Sequence, residues 1–140
     1  MKVVLVPVDG SECSLRAVHY LIAAHAEGLQ PRLHLLNVQF AMRSDVSQFV
    51  APGEIKGYQH EKSEDSLRPA RSLLDAARIP YEVHEEVGIV ADRIVQRAES
   101  LNCDHIVMGT HGRSALADLL VGSTTLRVLH TTRLPVVLVK

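Results

Sequence analysis

The sequence predicts an α/β protein built on a parallel sheet with helices on both faces, and three observations carry that prediction. Apolar runs such as Val3–Val6, Ile106–Met108 and Val136–Val139 are short, continuous and rich in β-branched residues, as in strands buried on both faces. Between them lie longer segments whose apolar residues recur at helical spacing. The two kinds of segment alternate along the chain, and alternation of that kind argues for parallel strands joined by helical crossovers.

The elements follow in order. Val3–Val6 is the first strand, with Pro7 near its end, where a missing N–H does least harm to a sheet. Asp9, Gly10 and Ser11 turn the chain, and Ser11 is a natural N-cap for a helix over 12–27. That helix carries Leu15, Val18, Leu21, Ile22 and Ala26 on one side, and Gly28 suits the position just past its end. The second strand is Leu33–Val38. Residues 40–54 are mixed in character, contain Pro52 and Gly53, and read as the longest irregular stretch. A second helix is expected over 57–77, with Pro69 kinking or breaking it. Tyr81–Val87 alternates polar and apolar residues, the pattern of an edge or half-covered strand. A third helix over 91–101 leads to the fourth strand, Ile106–Met108, and a fourth helix over 123–130 leads to the fifth strand, Val136–Val139.

Between the fourth strand and the fourth helix lies a glycine pattern, Gly-x2-Gly-x9-Gly-Ser, formed by Gly109, Gly112, Gly122 and Ser123. A strand, a glycine-rich loop and a helix start together suit phosphate. Glycine permits positive φ and close backbone approach. The first N–H groups of a helix lack internal partners and attract anions. The Ser123 hydroxyl suits either a helix cap or a phosphate oxygen. The spacing matches neither the P-loop nor the dinucleotide-binding fingerprint. Ligands of open parallel sheets bind beyond the carboxyl ends of the strands, where strand order reverses. If the first and fourth strands are neighbours there, Asp9 and Gly109 face one crevice.

At this point the sequence resembles a known family. Lys2 to Glu12, Met108 to Ser114 with Gly122 and Ser123, and Leu134 to Val139 are similar to the corresponding stretches of universal stress proteins, in the nucleotide-binding branch. The likeness covers essentially the whole chain as a single domain. It implies a Rossmann-like fold of the adenine nucleotide alpha hydrolase type, with five strands in the order 3-2-1-4-5. It also implies an adenine nucleotide, ATP or else ADP or AMP, in the crevice between the first and fourth strands. By that resemblance, Pro7 and Val8 form part of the pocket floor, Asp9 meets the ligand, and Val38 meets adenine through its backbone. Met108, Gly109, Gly112, Gly122 and Ser123 then line the ribose and phosphates, flanked by His111, Arg113, Ser114 and Thr124. Mg²⁺ or Mn²⁺ would enter with the nucleotide, held mostly by phosphates. The resemblance further implies a homodimer formed through the last strand, Val136–Val139. That agrees with the exposure of an apolar edge strand, a liability unless paired or covered. Two departures stand out: Ile89 and Val90 replace a frequent Asp-Pro before the third helix, and Ala115 replaces a frequent glycine.

Ordinary structural roles compete with several of these readings. Asp9 also fits a turn aspartate that bonds its own backbone. Val38 also fits a core valine. Arg113 also suits solvated surface, and His111 reads as a loop histidine without a catalytic role. The apolar residues Leu116, Leu119, Leu120 and Val121 suggest a packed helical turn or a subunit contact. No histidine pair shows zinc-site spacing. The eight histidines therefore read as unconnected, although His34 and His84 fall on strands that can be adjacent. Cys13 and Cys103 read as small buried residues, Cys13 in the first turn of a helix where a thiol can be activated.

The bulk numbers narrow the function classes. A net charge of −1, from 15 basic and 16 acidic residues, gives no sign of a dedicated nucleic-acid binder. No apolar run approaches a bilayer-spanning length, and the chain opens directly into a strand, so a cytoplasmic protein without membrane attachment is expected. Three functions remain open: a nucleotide-binding regulatory protein of the stress response, a slow ATPase or autophosphorylating enzyme, and a protein-interaction module with an unused pocket. There is no Walker lysine and no evident base to orient water, which weighs against the second. The intact glycines weigh against the third.

Overall fold

The computed structural model describes residues 1–41, 44–111 and 121–140. Its elements are β1 (Val3–Pro7), α1 (Glu12–Ala26), β2 (Arg32–Gln39), α2 (Ser44–Ser47), α3 (Pro52–Ala76), β3 (Tyr81–Val87), α4 (Val90–Ser100), β4 (His105–Gly109), α5 (Ser123–Thr131) and β5 (Val136–Val139). The five strands are all parallel and lie in the order β3-β2-β1-β4-β5. This is the doubly wound, Rossmann-like arrangement expected.

Strand alternation sorts the core into two layers. Val4, Val6, Leu33 and Leu35 point to one face and pack against Ala17, Val18 and Leu21 of α1 and Leu67, Ala70 and Leu74 of α3. Leu5, Leu36, Ile106 and Met108 point to the other face, against Ala91, Ile94, Val95 and Ala98 of α4 and Val128 of α5. Sequence neighbours such as Val4 and Leu5 thus serve opposite layers, as a period of two requires. β3 has no fully buried residue, in keeping with the edge strand its alternating sequence predicts.

The helix ends show local chemistry. Ser11 caps α1, its Oγ accepting the Ser14 N–H at 3.2 Å. At the other end Gly28 adopts φ +99°, with its N–H bonded to the His25 carbonyl and the Leu29 N–H bonded to the Ala24 carbonyl. This is a Schellman motif, and its left-handed residue favours glycine.

Three expectations need correction. The second long helix starts at Pro52, not at 57, because Ala51 is extended and proline fits the first helical position without losing a bond. It also runs through Pro69 without a break. Proline there removes one bond, to the carbonyl of the exposed Asp65, which water can satisfy. The stretch over 40–54 is also not irregular throughout, since its described residues hold α2 and the first turn of α3.

The histidines are not all unconnected either. His34 and His84 share a hydrogen bond of 3.0 Å between Nδ1 and Nε2. The parallel register sets Leu36 against His84, and two residues of strand offset bring His34 onto the same face. Sequence spacing could not reveal this, because the strand pairing sets it.

Candidate functional site

Strand order reverses between β1 and β4, so the carboxyl ends of these two strands open a crevice. β1 delivers Pro7, Val8 and Asp9 to it. Val8 is buried, and its N–H bonds the Leu36 carbonyl at 2.8 Å. Asp9 makes the turn bond considered above, with Oδ1 accepting the Ser11 N–H at 2.9 Å, while Gly10 takes φ +81°. The turn role of Asp9 is therefore real, and it holds the carboxylate at the crevice edge beside the start of α1.

β4 ends at Met108 and Gly109, both buried. Gly109 is glycine for a reason other than the one its motif suggests. Its φ is not in the left-handed region, and a Cβ on it would lie 2.3 Å from the Cys13 carbonyl oxygen. The first turn of α1 packs directly on this strand end. Cys13 is accordingly only partly buried, contrary to the expectation of a buried thiol. Its Sγ accepts the His111 N–H at 3.2 Å and lies 3.7 Å from Thr110 Oγ1. The His111 ring bonds Thr110 Oγ1 through Nδ1 at 2.8 Å.

The two ends of the glycine loop meet. The Gly122 N–H bonds the Thr110 carbonyl at 2.7 Å, and Thr125 Oγ1 donates to the Gly109 carbonyl at 3.3 Å. These bonds bring the N-terminus of α5 against the end of β4. Gly122, not Ser123, is the N-cap of α5, with φ −72° and ψ 161°. The Ser123 hydroxyl therefore does not cap this helix. Ser123 is exposed and Thr124 half-buried at the first two helical positions, where backbone N–H groups have no partner within the helix. Gly112, Arg113, Ser114 and Ala115, with Leu116, Leu119 and Leu120, lie outside the described residues.

Val38 is half-buried near the end of β2 and packs on the α4 layer, so its side chain has the core role considered for it. The neighbouring Asn37 was missed in the sequence, although a lone amide in an apolar strand was its signal. It is buried, donates from Nδ2 to the Val8 carbonyl at 2.8 Å, and accepts from Ser63 Oγ at 3.0 Å and Gln39 Nε2 at 2.7 Å. One side chain thus ties the end of β1 to β2 and α3 just before Asp9. Replacing Asn37 with leucine should lower unfolding free energy by about 2–4 kcal/mol, since it strands the buried Val8 carbonyl and Ser63 hydroxyl. Urea denaturation measures this, and a loss below the effect of Ser63→Ala would contradict the account. A hollow of about 250 Å³ between α3 and the ends of β2 and β3, lined by Gln39, Lys56, His60, Ser63, Glu85 and Val87, adjoins this network.

Together these features define a class: a doubly wound α/β protein with a helix N-terminus brought against the strand ends at its switch point. The family model of the universal stress protein family matches residues 1–140, and the chain belongs to that family. It is 31% identical over 145 residues to the universal stress protein MJ0531 of Methanocaldococcus jannaschii, covering 99% of this chain and 82% of that protein. Among solved structures, protein MJ0577 of the same organism matches with a TM-score of 0.83 and 29% identity, over 99% of this chain and 95% of that one. A universal stress protein in complex with cAMP matches with a TM-score of 0.71 and 26% identity, over 99% and 97% of the two chains.

Proposed function

We propose that this protein is a regulatory member of its family that binds an adenine nucleotide, ATP or else ADP or AMP, in the crevice between β1 and β4. The observation that carries the reading is the closure of the glycine loop at its base. The bond from the Gly122 N–H to the Thr110 carbonyl directs the N-terminus of α5 to the sheet edge that also presents Asp9. Helix starts of this kind favour anions, because their N–H groups and dipole both point outward. The cAMP complex of a relative 26% identical supports the choice of adenine nucleotide.

In this reading Pro7, Val8, Asp9 and Val38 hold the base and ribose. Met108, Gly109, His111, Gly112, Arg113, Ser114, Gly122, Ser123 and Thr124 surround ribose and phosphates. A Mg²⁺ or Mn²⁺ ion accompanies a polyphosphate, held by its oxygens. The nucleotide acts as a signal that shifts the loop or a partner surface, because binding can bias one conformation over another. The protein works in the cytoplasm during stress, in keeping with two free cysteines. It pairs with its own copy along β5, an edge strand whose residues are only half-buried in the single chain.

The test is the small molecule carried by freshly purified protein. Denaturation followed by chromatography and mass measurement should release an adenine nucleotide near one per chain. Incubation with Mg²⁺ then separates a stable signal from turnover, since accumulating ADP would move the reading to a slow ATPase. A protein that is empty and also fails to bind added ATP would overturn the proposal in favour of an interaction module.

A further inference from the structure

We propose that His34, Glu82 and His84 form a binding site for a transition-metal cation of the Zn²⁺ type, on the β2–β3 surface away from the nucleotide crevice. The register sets His34 directly against Glu82, and His84 follows two residues along β3 on the same face. Their donor atoms converge. His34 Nδ1 lies 3.0 Å from His84 Nε2 and 3.8 Å from Glu82 Oε2, and all three donors fall within 4.8 Å of one another. Tetrahedral Zn²⁺ with bonds near 2.0–2.1 Å places its ligand atoms about 3.3 Å apart. The observed spacings bracket that value, so a slight parting of the rings and an inward turn of Glu82 complete the geometry.

The chemistry of the donors selects the ion. Two imidazoles and one carboxylate suit zinc, cobalt, nickel or copper, whereas Mg²⁺ and Ca²⁺ prefer all-oxygen sets. The site is also graded in exposure. His34 is 3% exposed and fixed in the layer beneath α4, His84 is half-buried, and the Glu82 side chain is 61% exposed. A cation can therefore enter from solvent on the Glu82 side and keep water at its fourth position. The two ligand-bearing strands are held by their own ladder, so the donors are positioned before an ion arrives.

Burial lowers the pKa of both rings, with the nearby Glu82 opposing that shift, so the imidazoles stay neutral and can offer lone pairs. Without a metal, one ring must donate its hydrogen to the other to make the 3.0 Å contact. On binding, that ring moves the hydrogen to its other nitrogen, both facing nitrogens become ligands, and no proton is released by the pair.

A second cluster, His60, Glu64 and Glu85, offers one imidazole against two carboxylates, has no buried member, and so is the less selective set for such a cation. It therefore serves as the internal control. The experiment titrates chelator-treated full-length protein with Co²⁺, followed by visible absorption, and then displaces Co²⁺ with Zn²⁺. The expected result is one equivalent bound with the intense spectrum of a four-coordinate ion. Affinity should fall at least about 100-fold in His84→Ala and about 10-fold in Glu82→Gln, and hold in His60→Ala. Because Glu82 is exposed, its variant keeps the fold and reports on the site even if His84→Ala is unstable. Wild-type protein that binds no Co²⁺, or Glu82→Gln and His84→Ala variants that bind as tightly as wild type, would overturn the proposal. So would loss of binding in His60→Ala.

Discussion

Gly109→Ala is expected to destabilise the protein by about 3 kcal/mol, at the upper end of the usual cost of overpacking. The added Cβ would fall 2.3 Å from the Cys13 carbonyl oxygen and 2.7 Å from its carbonyl carbon. Both atoms belong to the backbone of the first turn of α1, so no rotamer change makes room. The strand end and the helix must part, at the floor of the crevice. Urea denaturation reads the loss directly. A double variant carrying Cys13→Ala in addition sharpens the argument, because removing the sulfur clears only the 3.0 Å contact and leaves the carbonyl in place. Rescue by that second change would show that the thiol, and not the backbone, demands the glycine.

Gly109 also shows how far the sequence could be read. Its place in a glycine pattern after a buried strand put it correctly at the end of β4, because apolar runs and loop glycines are local signals. The reason for the glycine was not local, since Cys13 lies 96 positions earlier and meets it only through the strand order. The same division runs through the chain. Ser11 as cap and Gly28 as helix stop were legible because each acts within a few residues. Tyr81–Val87 was legible as a half-covered edge because its alternation records which face is dry. Pro52 was misread because proline marks a loop and a helix start equally well, and only the extended Ala51 before it decides. Ser123 was rightly placed at the start of α5, but of the two roles its hydroxyl suited the cap fell to Gly122, since glycine and serine are both accepted there. The bonds of Asn37 were invisible, and the His34–His84 contact was legible only as two strands that can be adjacent, because each depends on register across β2.

Gly122→Val should separate ligand binding from folding, with a loss of nucleotide affinity of at least about 100-fold, equivalent to about 2.7 kcal/mol. Gly122 sits at φ −72° and ψ 161°, an extended conformation that valine adopts without strain. Its N–H remains available for the Thr110 carbonyl, so the base of the loop stays closed. The folding cost is then that of a poorer N-cap, about 1 kcal/mol. In the proposed complex the phosphates approach the N–H groups of Ser123 and Thr124, and a branched side chain on the adjoining N-cap residue crowds that approach. Titration calorimetry with ATP gives the affinity, and a urea curve on the same sample gives the stability. Large loss of binding with a small shift in midpoint ties the anion to this helix start. Unchanged affinity would remove the phosphate from the glycine loop, and the ligand of the crevice would have to be sought among molecules held by β1 and β2 alone.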